Sequence, residues 1–247
     1  MFYHFLIIYD LMDVKEEVER IKSELEDLVD EERKEWAKGY YPSSFQVLGV
    51  KVPDQRKVVN SLRKRVRNKD RNSRLELALA LVDTEIFECQ QVAYELISKD
   101  KKLNSSLSLE EILELRKGLD NWVSVDTFSG YISGIAWREG RISDETIMKW
   151  AEDPDRWIRR SALVSTLGLN QKARGGTGDT ERTLMVCDRL KGDHDEFVVK
   201  AMSWALRELS KTDHDTVGRY LEENEEVLHK KVVREVRKKL ETGRKNG

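Results

Sequence analysis

Three features of the sequence predict an all-α protein built from stacked helix pairs. Only 3 prolines and 14 glycines occur in 247 residues, too few for the many tight turns of a β-sandwich or barrel. Charged residues reach 36% beside 39% hydrophobic ones, a mixture suited to helices with one buried and one solvated face. A capped-helix pattern also recurs along the second half of the chain, which is the mark of repeat architecture.

The elements follow in chain order. The apolar start FYHFLIIY lacks a basic segment and a cleavage site, so residues 1–11 read as a start-site extension or a short apolar cap. Residues 13–38 read as one acidic amphipathic helix ending near Gly39. Tyr40 to Lys57 reads as a loop and a helix start, with Pro53 at the first helical position and Val52 a poor cap. That helix runs to about Lys69, and the next from Arg74 to Ser98. Ser108 and Glu111 have capping-box spacing and open a short helix to about Lys117. After Gly118 a helix carries Trp122 through Trp137, and others follow near 143–151, 155–169, 179–191, 194–210, 214–223 and 225–242. No Ser/Pro-rich linker interrupts them, so a single domain over 1–247 is expected.

DPDRWIRRSALVSTL (Asp153 to Leu167) and DHDEFVVKAMSWALR (Asp193 to Arg207) place Asp caps, an aromatic (Trp157, Phe197) and a base (Arg160, Lys200) at matching positions. NEEVLHKKVVREVRK repeats the pattern with Leu228 and Lys231, and EIFECQQVAYEL (Glu85 to Leu96) is a weaker echo. Helix pairs at this period imply a HEAT-like α-solenoid, an α-α superhelix whose concave surface serves as a groove.

The net charge of −2 hides an asymmetry. Residues 1–35 hold 12 acids and 5 bases, a net of −7, which leaves +5 on the rest. Nine Lys/Arg between Arg56 and Arg74, Arg63 and Lys64 among them, face one acid, Asp70. A second basic stretch occupies 230–247. Two such clusters around a folded middle suit a surface that tracks phosphates; each alone reads equally well as a solvated helix face.

Other chemistries find little support. No apolar run approaches the roughly 20 residues that cross a bilayer. The two cysteines, Cys89 and Cys187, are too few for a disulfide framework and point to a reducing cytoplasm. The Gly-rich KARGGTGDTER lacks the Gly-Lys-Ser/Thr of a phosphate-binding loop and reads as a mobile connection, with Arg174 and the backbone amides in reach of a polyanion. His194 and His214 each stand in an Asp-His-Asp triplet where a helix begins, so the Asp residues read as caps rather than metal ligands.

What remains is a set of Trp, Asp and Arg residues at helical spacing. Trp122 and Asp126 are four apart, and Trp204 and Arg207 three apart, so each pair shares a helix face; Arg159 and Arg160 follow Trp157. Taken singly, each such pair is better explained by a core Trp, a surface Arg and a capping Asp.

Together, FQVLGVKVPDQRKV, NWVSVDTF, DRWIRRSALV and VVKAMSWALREL resemble the DNA alkylation repair family of HEAT-like-repeat DNA glycosylases, the AlkD type, from about Gly39 to Lys211. By that resemblance Asp126 is the catalytic carboxylate, with Trp122 and Trp204 the aromatic pair beside the lesion's sugar. Arg160 and Arg207 serve the DNA backbone and the site. Arg159, Lys200, Arg63 and Lys64 are further candidates for the DNA backbone. Two features depart from the family pattern: Val123 beside the first Trp, where some members carry Asp, and the Gly-rich insertion at 174–178.

The resemblance implies excision of cationic N3- and N7-alkylated purines from duplex DNA without a base-flipping pocket. Such a base is already a good leaving group, so the demand falls on the oxocarbenium-like sugar. A carboxylate in a partly desolvated groove meets that demand and orients the water. Aromatic faces add about 0.5–2 kcal/mol each. No cofactor, metal or nucleotide is expected; the expected partner of the monomer is alkylated double-stranded DNA. A non-catalytic module that binds distorted or branched DNA, and a protein-interaction scaffold, remain as alternatives.

Overall fold

The computed structural model describes residues 12–244, and among them every regular element is helical. The strand-like contact among them is an isolated parallel bridge between Gln46 and Ile86. The chain divides into two compact units. One comprises residues up to Tyr40 with Phe45–Leu103, and the other Tyr41–Ser44 with the chain from Asn104 onward.

The first unit holds α1 (Val14–Glu26), α2 (Glu31–Tyr40), α3 (Val52–Val66), α4 (Arg71–Val82) and α5 (Phe87–Lys99). Two helices expected to be continuous are each broken. The acidic stretch over 13–38 is α1 and α2 because Asp30 acts as a second cap, accepting from the Arg33 amide at 2.9 Å and pairing with Lys51 at 2.6 Å. The span from Arg74 to Ser98 is α4 and α5. Glu85 takes a left-handed φ of 54°, and the Thr84 hydroxyl donates to the Leu81 carbonyl, closing α4. In α5 the buried Glu88 carboxylate accepts from the backbone amides of Leu48, Gly49 and Val50 at 2.9, 2.8 and 3.2 Å. Burial pushes its carboxyl pKa up while those donors oppose the shift. A short α6 (Lys101–Ser105), which has no clear sequence signal, lies where the two units divide in sequence.

The second unit opens with α7 (Leu109–Leu115), where Ser108 and Glu111 form both halves of the anticipated capping box. Asp120 ties in Tyr41–Ser44 by accepting from the Ser43 and Ser44 hydroxyls at 2.8 and 2.7 Å. The run from Trp122 to Trp137 is helical throughout, as α8 (Trp122–Phe128), a π-helical turn (Ser129–Ser133) and α9 (Gly134–Arg138). Three helix pairs follow: α10 (Asp144–Ala151) with α11 (Arg156–Asn170), α12 (Thr180–Leu190) with α13 (Glu196–Leu209), and α14 (His214–Glu223) with α15 (Lys230–Thr242).

Helices α9, α11, α13 and α15 pack in that sequence, and the last three also pack on the first helix of their own pair. The matched sequence stretches are therefore neighbours in space. Asp155 and Asp195 cap α11 and α13, and the rings of Trp157 and Phe197 lie 4.7 Å apart. Helix α15 starts five residues later than the sequence pattern indicated, because His229, not a residue near 225, supplies the cap. The Gly-rich connection, expected to be mobile, is hydrogen-bonded along its length. The Gly176 amide donates to Gln171, the Gly178 amide to Leu169 and the Asp179 amide to the Asn170 side chain.

Helix α11 is buried on every side from Arg160 to Asn170. It approaches the α8–α9 run closely through small residues. The hydroxyls of Ser129 and Ser161, and of Ser133 and Ser165, are each 2.7 Å apart. A Cβ on Gly168 would lie 2.3 Å from the Gly134 carbonyl carbon. Gly168→Ala is therefore expected to cost about 1–3 kcal/mol in urea unfolding. Gly218→Ala, inside α14 with nothing within 4 Å of the added carbon, should instead gain about 0.5–1 kcal/mol. Equal effects would show that the α9–α11 approach is not tight.

Candidate active site

Asp126 lies one turn after Trp122 on α8, a helix opened by Asn121, whose side-chain carbonyl accepts from the Val123 and Ser124 amides. Its carboxylate meets the guanidinium of Arg160 from α11 edge to edge. Nε donates to Oδ1 at 2.9 Å and Nη2 to Oδ2 at 2.8 Å, while Nη1 donates to the Phe197 carbonyl on α13. The Arg160 side chain is 6% exposed and that of Asp126 17%. A buried guanidinium needs acceptors on its fork, and here Nε and both terminal nitrogens have one.

Burial raises the Asp126 carboxyl above its ordinary pKa, against the opposing pull of Arg160 and of the Arg174 charge. Arg160 occupies one lone-pair direction on each oxygen, so each retains capacity to accept from a water. Asp126 therefore keeps a route to solvent with its orientation fixed.

The candidate aromatics differ from the core tryptophans. Trp137, Trp150 and Trp157 are buried, whereas Trp122 and Trp204 are half-buried. Trp204 lies on α13, two turns beyond the Phe197 carbonyl that anchors Arg160. One turn on, the Arg207 Nε donates to the Ser203 hydroxyl at 3.1 Å, and that hydroxyl donates to Glu235 at 2.6 Å.

The other candidates divide by what holds them. Arg159 joins successive helix pairs, donating to the Asp193 carboxylate at 2.7 Å and to the carbonyls of Asp153 and Pro154 at 2.9 and 2.8 Å. Two arginines anticipated at the DNA backbone, Arg159 and Arg160, are thus committed within the protein. Lys200 is half-exposed on α13, paired with Glu196 at 2.5 Å. In the first unit, Arg63 and Lys64 are exposed and line an open cavity of about 580 Å³ together with Arg67, Lys101 and Lys102. Lys64 and Arg67 make no ion pair with a described residue. Among the described residues, no group of three His, Cys, Asp or Glu could hold a metal, and no helix is long and apolar enough to cross a membrane.

The sequence pattern of the DNA alkylation repair enzyme family matches residues 21–240. A solved structure described as a predicted DNA alkylation repair enzyme from Enterococcus faecalis is similar with a TM-score of 0.68 and 20% identity. It covers 85% of this chain and 95% of its own, a likeness of fold. No curated protein sequence matches.

Removing one member of a buried ion pair strands the other. Arg160→Met is expected to cost about 3–5 kcal/mol in urea unfolding, and adding Asp126→Asn should recover part of it. A loss below about 1 kcal/mol for Arg160→Met alone would show that the pair is not held out of water.

Proposed function

The chain belongs to the DNA alkylation repair enzyme family, and from that premise we propose that it is a DNA N-glycosylase. Its substrates in this reading are cationic N3- and N7-alkylpurines in duplex DNA, such as 3-methyladenine and 7-methylguanine. The observation that carries it is the Asp126 carboxylate, oriented by Arg160 yet partly open to solvent, one turn from the half-buried Trp122. A module that only held phosphates would gain nothing from such a carboxylate.

The departing purine takes the electron pair of the C1′–N9 bond, which neutralises its own positive charge, so no general acid is needed. Positive charge moves to the sugar, where Asp126 and the faces of Trp122 and Trp204 stabilise it. Water then adds to C1′, and its proton passes to Asp126 and on to solvent. The products are a free neutral base, an abasic site and one proton. Arg160 acts through Asp126 as a positioning residue. Lys200, Arg63 and Lys64 are proposed phosphate contacts, and Arg207 a support beside Trp204.

Chromatography of bases freed from methylated duplex DNA should show 3-methyladenine and 7-methylguanine, with neutral ethenoadenine left in place. Equal release of the neutral lesion would contradict a selectivity that rests on the leaving group's charge. Trp122→Ala and Trp204→Ala should each slow release by about 2- to 30-fold, the equivalent of roughly 0.5–2 kcal/mol.

Asp126 works ionised, so activity is present above its pKa and is lost as pH falls through it. Because that pKa is raised by burial, the acidic limb should lie above the ordinary Asp value of about 4. Arg160 favours the charged form, so Arg160→Gln should move the limb to still higher pH. An unmoved limb would remove Arg160 from this role.

A further inference from the structure

We propose that Arg174, in the Gly-rich connection between α11 and α12, is a preformed clamp for one phosphodiester beside Asp126. The proposal rests on the DNA-directed reading above. Four observations carry it. The backbone of Arg174 is fixed, since its carbonyl accepts from Arg138 Nη1, which also donates to the Gly168 carbonyl at 3.0 Å. Its guanidinium stacks over the Tyr131 ring, 4.3 Å from the centroid. It is seated on Gly130, where an added Cβ would lie 2.1 Å from Nη1. It donates to no protein acceptor: Nη1 is buried without one, and no described residue hydrogen-bonds or ion-pairs with the side chain.

An arginine oriented by stacking, with its fork unused, is arranged for an acceptor that the chain does not contain. Charge balance identifies the class. Asp126 and Arg160 cancel, and Arg174 is near enough for its charge to act on Asp126. The cluster therefore carries one positive charge in excess, which would repel a cationic base. One phosphate on Arg174 removes that excess and restores the field of Asp126 to the lesion. Arg174 is half-exposed and the Tyr131 ring beneath it is exposed.

Gly130 is part of the device, because any side chain there would displace the guanidinium from its seat. Gly175, in the left-handed region at φ 83°, turns the chain immediately after Arg174. The Gly-rich insertion thus provides the turn that lets Arg174 reach back over the π-helical segment.

The test is the salt dependence of duplex DNA binding by the intact protein, with single-turnover base release measured alongside. Each phosphate contact contributes about 0.9 to the slope of log K against log salt. Arg174→Gln should lower the slope by about that amount and slow release, Arg174→Lys should preserve the slope, and Gly130→Ala should behave like Arg174→Gln. An unchanged slope in Arg174→Gln would overturn the clamp, even if the acidic limb of the pH profile moved. Absence of duplex binding by the wild type would instead overturn the DNA-directed reading itself.

Discussion

The burial of one ion pair governs the second unit. Arg160 stands on a helix enclosed from that residue to Asn170, where a free guanidinium would be prohibitively costly. It is accommodated because Asp126 presents both carboxylate oxygens and α13 presents the Phe197 carbonyl. That geometry requires α8, α11 and α13 to hold fixed spacing. The glycines and serines between the π-helical turn, α9 and α11 set the first of these distances. The stacked rings of Trp157 and Phe197, with Arg159 on Asp193, set the second. Packing and candidate chemistry are thus one arrangement: what keeps α11 close also aims the carboxylate.

Local signals were legible in the sequence. The Ser108 capping box, the Asp caps at 155, 195 and 213, and the repeated aromatic position all depend on residues within a few positions of one another. The breaks within 13–38 and 74–98 were harder to see because acidic residues serve equally as solvated face and as cap. Asp30 shows which only through its amide and its distant lysine. The echo beginning at Glu85 did carry the second break, since α5 starts two residues into it.

Long-range commitments were the illegible part. Spacing put Trp122 and Asp126 on one helix face and the family resemblance singled them out; the structure leaves both half-buried on α8. Arg159 and Arg160 looked alike in sequence, yet one binds the next helix pair and the other the candidate carboxylate. Their partners lie 34 residues away in opposite directions, a separation that helical periodicity does not encode. The Gly-rich connection misled for the same reason: its glycines read as freedom, whereas Gly176 and Gly178 lie against the backbone of Leu169 and the side chain of Thr212.

The central claim is that Asp126, held by Arg160, performs chemistry rather than merely completing a buried pair. Single-turnover release of 7-methylguanine from a defined duplex, with binding affinity measured on the same DNA, tests it most directly in Asp126→Asn. Asn retains a hydrogen bond to Arg160 and removes the charge. The account predicts binding close to wild type with release reduced by at least a hundredfold, roughly 2.7 kcal/mol of lost transition-state stabilisation. Undiminished release by a folded Asp126→Asn protein would contradict it and reduce the pair to architecture.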